Sequence, residues 1–218
     1  MTIVSTASQT TDTAALVAEF GGSSSDSVDV MIGIGLVKDS DAVFFQYVGD
    51  DQKKALMQEN GKPVTRLVNV FFDGVSIAEN IYKDAGFDGS KLNVFLKTQG
   101  GISVMLTSGI TTMWSQCIVT ALMGMYNEHA LNSLVNVDSY KGKSSKGAVF
   151  AAIRNNGRKM TSQAMYDDLA EARADRNKAE VTRIMRDAIS LLSVAFNEDT
   201  AAIDTETQIV SEEVSEEF

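Results

Sequence analysis

The pattern of apolar and polar positions along the chain predicts a protein rich in β-strands. Residues Lys91–Lys97 alternate strictly, so every second side chain points to the same face of a strand. The apolar runs Val30–Val37 and Ala42–Val48, separated by four polar residues, predict a hairpin. Further strands are predicted at Val64–Phe72, Ile102–Leu106, Leu134–Tyr140 and Gly147–Arg154.

A helical spacing of apolar residues replaces this alternation from Met113 to Asn127. Thr112 is a suitable N-cap, because its side chain can accept a hydrogen bond from the first turn. Trp114 and Cys117 lie on the apolar stripe, so both are expected to be buried.

A longer helix is predicted at Gln163–Phe196, capped by Ser162 and carrying its own apolar stripe. This helix either packs back onto the strands or mediates self-association as a homodimer. Shorter helical pieces are predicted at Asp50–Asn60 and Ser76–Tyr82.

Five strands with one helix between the third and fourth follow the order of an OB barrel. We therefore predict an α+β fold, mostly β: an OB-like five-stranded barrel with an additional N-terminal hairpin and a long C-terminal helix. The expected divisions are a flexible Ser/Thr-rich leader (1–29), an OB-like domain (30–162), a long amphipathic helix (163–197) and a disordered acidic tail (198–218).

Charge is distributed unevenly along the 218 residues, whose formal net charge is −10. Residues 1–37 and 198–218 carry acidic residues and no Lys or Arg. Residues 38–197 therefore hold all 19 cations against 17 of the 29 acids, a net charge of +2. Because the distribution of charge matters more than its sum, the acidic total does not exclude a nucleic-acid partner.

Several function classes lack support in the sequence. One cysteine excludes an internal disulfide, and no signal-peptide pattern or 18-residue apolar run is present, so we expect a cytoplasmic protein (host cytoplasm if phage-encoded) with no membrane contact. The single histidine, His129, has no Cys or second His at ligand spacing, and no phosphate-binding or dinucleotide motif occurs. We expect no catalytic residues, no metal, no cofactor and no enzymatic activity.

The stretch from Ser139 to Ala164 contains six cations and no acid. Clustered cations neutralise phosphates, and interleaved aromatic residues can stack on bases. A second face, that of the strand Lys91–Lys97, places one aromatic residue between two lysines. The predicted nucleic-acid-binding residues are Lys91, Phe95, Lys97, Tyr140, Lys141, Lys143, Lys146, Phe150, Arg154, Arg158 and Lys159. The alternative is that these cations cover the solvent face of a sheet while Phe95 and Phe150 pack beneath the long helix.

The C-terminal segment has eight acidic residues after Asn197 and ends in an aromatic residue. Dense like charge predicts an extended solvated tail. Its terminal aromatic can enter an apolar pocket while carboxylates meet a basic rim; the alternative is an ordinary disordered terminus. The last seven residues contain this combination in Glu212, Glu213, Glu216, Glu217 and Phe218.

Together, the strand order, the basic face with aromatics and the tail ending in Phe218 resemble single-stranded DNA-binding proteins of the bacterial and phage type. The resemblance implies a non-enzymatic protein that coats single-stranded DNA without sequence specificity. It also implies recruitment of replication, recombination or repair proteins through Glu216, Glu217 and Phe218, supported by Glu212 and Glu213. Two alternatives remain: a structural or assembly protein of a phage particle, and an accessory subunit of a nucleoprotein complex.

Overall fold

The structure is a computed structural model that describes residues 28–48, 52–79, 89–143 and 147–213. Within them the chain is α+β and mostly strand, with one nine-stranded mixed sheet and three helices. The strands are β1 (Val30–Ile34), β2 (Phe44–Val48), β3 (Gln52–Ala55), β4 (Arg66–Ala78), β5 (Lys91–Thr98), β6 (Ser103–Gly109), β7 (Val135–Lys141), β8 (Val149–Asn155) and β9 (Arg158–Lys159). The helices are α1 (Met113–Asn127), α2 (Gln163–Ala174) and α3 (Lys178–Glu213).

The sheet is not a closed barrel, so the predicted OB-like barrel is not confirmed. Its order is β3-β2-β1-β6-β5-β4-β7-β8-β9, with β3 and β9 at the two edges of the described sheet. The five strands expected to form the barrel are β4 to β8, and β6 and β8 would have to approach each other to close it. Instead β1 pairs in parallel with β6. The N-terminal hairpin, which we expected to be an addition to the barrel, therefore occupies the edge of β6 with which β8 would have to pair.

Although open, the sheet is strongly curved. Lys141, at the end of β7, donates a hydrogen bond from Nζ to the carbonyl oxygen of Ser40 in the β1–β2 loop. The same Nζ lies 3.2 Å from the carboxylate of Asp41. Three strands separate β1 from β7 in the sheet. The contact is possible only because the sheet bends and brings the two regions together.

The three helices belong to the same core as the sheet. Alternate residues Leu92, Val94 and Leu96 of β5 are buried, as the sequence pattern predicted. They belong to one hydrophobic cluster with residues of all three helices, including Leu122 of α1 and Leu192 of α3. The helix predicted for 163–197 is thus part of the main core. The opposite face of the sheet, called the open face below, carries Lys91, Asn93, Phe95 and Lys97.

Two predicted short helices are strands in the structure. Residues 52–55, expected to be helical, form β3, which pairs antiparallel with β2. Lys53 lies 4.4 Å above the Phe45 ring, a contact that only the paired strands create. The helical turn expected at Ser76–Tyr82 is also a strand as far as Ala78, because β4 continues to that residue and pairs with β5. In both places strand pairing overrides a weak local pattern.

The predicted long helix is divided into α2 and α3. Arg176 between them has a left-handed backbone with φ of 55°, which no continuous helix permits. Asn177 then caps α3, because its side-chain oxygen accepts a hydrogen bond from the Glu180 amide at 3.1 Å. Ser162 makes no side-chain cap bond; its amide instead donates to the Thr120 carbonyl at 2.9 Å.

The ends of the chain are described only in part. Helix α3 continues through residues 198–213, which we expected to be an extended tail. The last five residues, 214–218, lie outside the described residues, as do 1–27 of the expected leader. Asp29, which we assigned to the leader, is already paired with β6: its carboxylate accepts a hydrogen bond from the Ser103 amide at 2.8 Å.

Candidate nucleic-acid interface

Two aromatic residues form a platform on the open face of β7 and β8. Tyr140 and Phe150 are cross-strand partners, and their rings are stacked with centroids 6.1 Å apart and planes 17° from parallel. Gly142, two residues after Tyr140, also approaches the Phe150 ring: a Cβ there would lie 2.5 Å from Cε2 of that ring. The ring of Phe150 therefore rests on backbone, while Tyr140 is 47% exposed and open to a ligand.

A charged cluster lies beside this platform. Asp138 accepts hydrogen bonds from the Arg66 guanidinium and from Nε of Arg154 at 3.1 Å. The hydrogen bond to Asp138 raises the pKa of Arg66. One carboxylate is thus shared by two guanidinium groups. The cluster has a net positive charge and guanidinium donors that remain for a further acceptor.

An open depression of about 430 Å³ connects the platform and the cluster. It is lined by Thr65, Asp138, Ser139, Tyr140, Ala152, Arg154 and Lys159. Tyr140, Ala152 and Lys159 also line a second, more enclosed cavity of about 250 Å³, the edge pocket, at the side of β8. The shared lining shows that the two cavities lie side by side, and together they are called the groove below.

Helix α2 contributes two groove residues that the sequence reasoning missed, Tyr166 and Arg173, both of which line the edge pocket. Nη1 of Arg173 donates to Oε1 of Gln116 on α1 at 2.8 Å, so the guanidinium is held in place. Tyr166 is 52% exposed. Their spacing of seven residues places them on one side of a helix. The sequence, however, gave no indication that this side meets β8.

The predicted residues of β5 also lie on the open face, but apart from the groove. Phe95 is opposite Gly74 of β4, whereas Asp138 is opposite Arg66 of the same strand. Eight residues of β4 separate the two positions, which corresponds to roughly 25 Å along a strand. Phe95 is half-buried, and Lys97 is exposed and paired with Asp73 at 2.9 Å. Lys91 is exposed.

The remaining predicted cations are dispersed. Lys141 is engaged with Ser40 and Asp41, as described above, and Arg158 pairs with Glu128. Lys143 is exposed at the end of β7, and Lys146 lies outside the described residues. The structure therefore brings together Tyr140, Phe150, Arg154 and Lys159, and leaves the other described candidates outside the groove.

Trp114 and Cys117 have different environments despite sharing a helical stripe. Trp114 is fully buried, and its indole N–H donates to the Ser139 hydroxyl at 2.9 Å. It is a core residue, as the stripe predicted, and its ring is inaccessible to a base. Cys117 is only half-buried, because it lines the edge pocket.

Comparison with known proteins gives no relative: no family model, curated protein or solved structure matches this chain. In the described residues, no helix has the length and apolar character to cross a membrane. The same part of the chain contains no group of three or more His, Cys, Asp or Glu residues placed to hold a metal ion.

Proposed function

We propose that this protein binds single-stranded DNA without sequence specificity, through the groove that begins at the Tyr140–Phe150 platform. The observation that carries the proposal is an exposed aromatic ring, already stacked on a second ring, in a depression that cations also line, because stacking and phosphate neutralisation together hold single strands.

In this proposal the cations and the aromatic residues of the groove bind different parts of the DNA. Lys159 and Arg154 contact phosphates, and the counterions that they release provide sequence-independent affinity. Tyr140 stacks on a base through its exposed face, supported from behind by Phe150. Every base has a π-face, so stacking does not select a sequence.

The β5 residues provide a second contact region in this proposal. Phe95 lies on the same open face as Tyr140, between Lys91 and Lys97 along its strand. A single strand crossing the open face from the groove to Phe95 would cover the roughly 25 Å between them, a distance within reach of several nucleotides. The protein would then coat DNA rather than grip one nucleotide.

The acidic C-terminal residues have two proposed roles. Glu212, Glu213, Glu216, Glu217 and Phe218 would recruit replication, recombination or repair proteins. In the absence of DNA, the negative charges after Asn197 would compete with phosphates for the cations of the groove. The recruiting role rests on the resemblance and the competing role on the charge pattern of the sequence; the side chains of these residues lie outside the described part of the structure.

Photochemical cross-linking tests the location of the DNA. An oligothymidylate containing a photoreactive base is irradiated with the protein, and the cross-linked peptides are identified by mass spectrometry. We expect cross-links to peptides that contain Tyr140 or Lys159. Cross-links confined to β1–β3, or none under conditions where the oligonucleotide binds, would contradict the proposed site.

A further inference from the structure

We propose that the edge pocket receives one unstacked nucleobase of the bound strand. This inference rests on the proposed function, because the pocket is part of the groove that we assign to DNA. The base would leave the stack at Tyr140 and enter between β8, α1 and α2.

The pocket has the size and walls that a single planar ring requires. Its volume of about 250 Å³ is below the roughly 300–1,000 Å³ of pockets for drug-sized ligands. The apolar part of its wall is rich in sulfur, a soft and polarizable atom that packs well against aromatic rings. The apolar lining residues are Met113, Cys117, Ala121, Phe150, Ala151, Met160 and Leu169.

Polar groups are fixed along the α1 side of the pocket. Gln116 is 5% exposed; its Nε2 donates to the Thr111 carbonyl at 2.7 Å and its Oε1 accepts from Arg173. Both ends of the amide are therefore oriented before a ligand arrives. Preset polar groups on an apolar wall are typical of ligand sites.

Thr120 places a hydroxyl on the wall of the pocket, of which it is a lining residue. No buried side-chain oxygen or nitrogen among the described residues lacks a hydrogen-bond partner, so the pocket holds no stored desolvation cost. A hydroxyl on a pocket wall can still donate to or accept from a ligand. Thr182 in α3 is outside the pocket lining, and its hydroxyl donates to the Lys178 carbonyl at 3.0 Å.

These features favour a nucleobase over the aromatic side chain of a peptide. A phenyl ring would fill the apolar part but could not form a hydrogen bond with the Thr120 hydroxyl. A base has donors and acceptors at its edge, and its phosphate would meet Lys159 and Arg173, which line the same pocket. One ligand would then use both the cations and the hydroxyl.

An abasic scan tests the pocket in the full-length protein. The affinity of the shortest oligothymidylate that binds is measured by fluorescence anisotropy, with one base removed at each position in turn. In the unmodified protein, removing the base at one position should raise Kd by about 5- to 150-fold more than removing a neighbouring base. In Cys117→Phe, which fills the pocket, affinity should fall by a similar factor and that position should lose its special sensitivity.

A second variant removes only the hydroxyl. Thr120→Val retains the shape of the pocket and should weaken binding by about 2- to 12-fold, whereas Thr182→Val, the matched control, should leave Kd unchanged. The proposal is overturned if both threonine variants bind as the unmodified protein does and the abasic profile of Cys117→Phe is unaltered. It is also overturned if Cys117→Phe retains DNA binding but loses binding of a peptide with the sequence of residues 209–218. If the unmodified protein binds no single-stranded DNA, the proposed function itself fails, a result distinct from these.

Discussion

The Tyr140 ring stacks on the Phe150 ring across β7 and β8, and the backbone of Gly142 lies close to Cε2 of Phe150. Phe150 therefore holds the Tyr140 ring, which remains 47% exposed. An aromatic ring that is held before the ligand arrives loses little conformational entropy on binding. This arrangement suits a stacking platform better than a core residue.

Replacing Tyr140 by alanine should weaken binding of single-stranded DNA by about 5- to 150-fold, because one base loses its stacking partner. Tyr47 provides the matched control, since it lies on the same open face and is 53% exposed. Tyr47→Ala should leave the affinity unchanged. Equal losses in the two variants, measured by anisotropy, would show that Tyr140 has no special role.

Trp114 should report on folding and be insensitive to DNA. It is the only tryptophan, it is buried, and it donates to Ser139. Trp114→Phe leaves the Ser139 hydroxyl without its donor and should lower the free energy of unfolding by about 1–3 kcal/mol, measured by urea denaturation. The DNA affinity of the folded variant should not change. Strong quenching of the tryptophan emission when DNA binds would instead place Trp114 in the interface.

Gly124 lies where α1 crosses the segment after β9. In an exposed helix, Gly→Ala stabilises by about 1 kcal/mol. Here, however, the new Cβ would lie 2.5 Å from the carbonyl carbon of Thr161, so we expect Gly124→Ala to destabilise by about 1–3 kcal/mol. Gly35→Ala is the control, because its Cβ would meet nothing closer than 3.4 Å. Equal changes of the unfolding temperature in the two variants would contradict this contact.

Truncation after Phe196 tests the proposed competition by the C-terminal acids. The truncated protein loses eight carboxylates and no cation, so it should bind single-stranded DNA more tightly, and the difference should diminish as salt rises. It should also lose the ability to capture replication or repair proteins in a pull-down. If truncation changes neither property, both proposed roles of these residues are wrong.

The sequence was sufficient for elements whose local pattern agrees with their tertiary surroundings. Strand β5 alternates in burial as its residues alternate in polarity. The Thr112 side chain accepts the hydrogen bond from the Ser115 amide that its position predicted, and α1 has the predicted bounds. The β1–β2 hairpin also forms, with Gly33 opposite Phe45.

The sequence was insufficient where pairing between distant segments decides the structure. Nothing local to β1 indicates that it pairs in parallel with β6, and that pairing leaves the sheet open. The groove depends on the same kind of information, because Arg173 meets Gln116 across 57 positions of the chain. Composition identified the cations and aromatic residues, but only the fold selects those that lie together.

Salt-dependent anisotropy is the most direct test of the central claim that this protein binds single-stranded DNA through a cationic groove. A fluorescent oligothymidylate and a duplex of equal length are titrated with the full-length protein between about 50 and 200 mM salt. We predict that the single strand binds much more tightly than the duplex and that log K falls linearly with log salt concentration, by about 0.7 for each phosphate neutralised. No binding of the single strand at the lowest salt, or equal binding of strand and duplex, would contradict the claim.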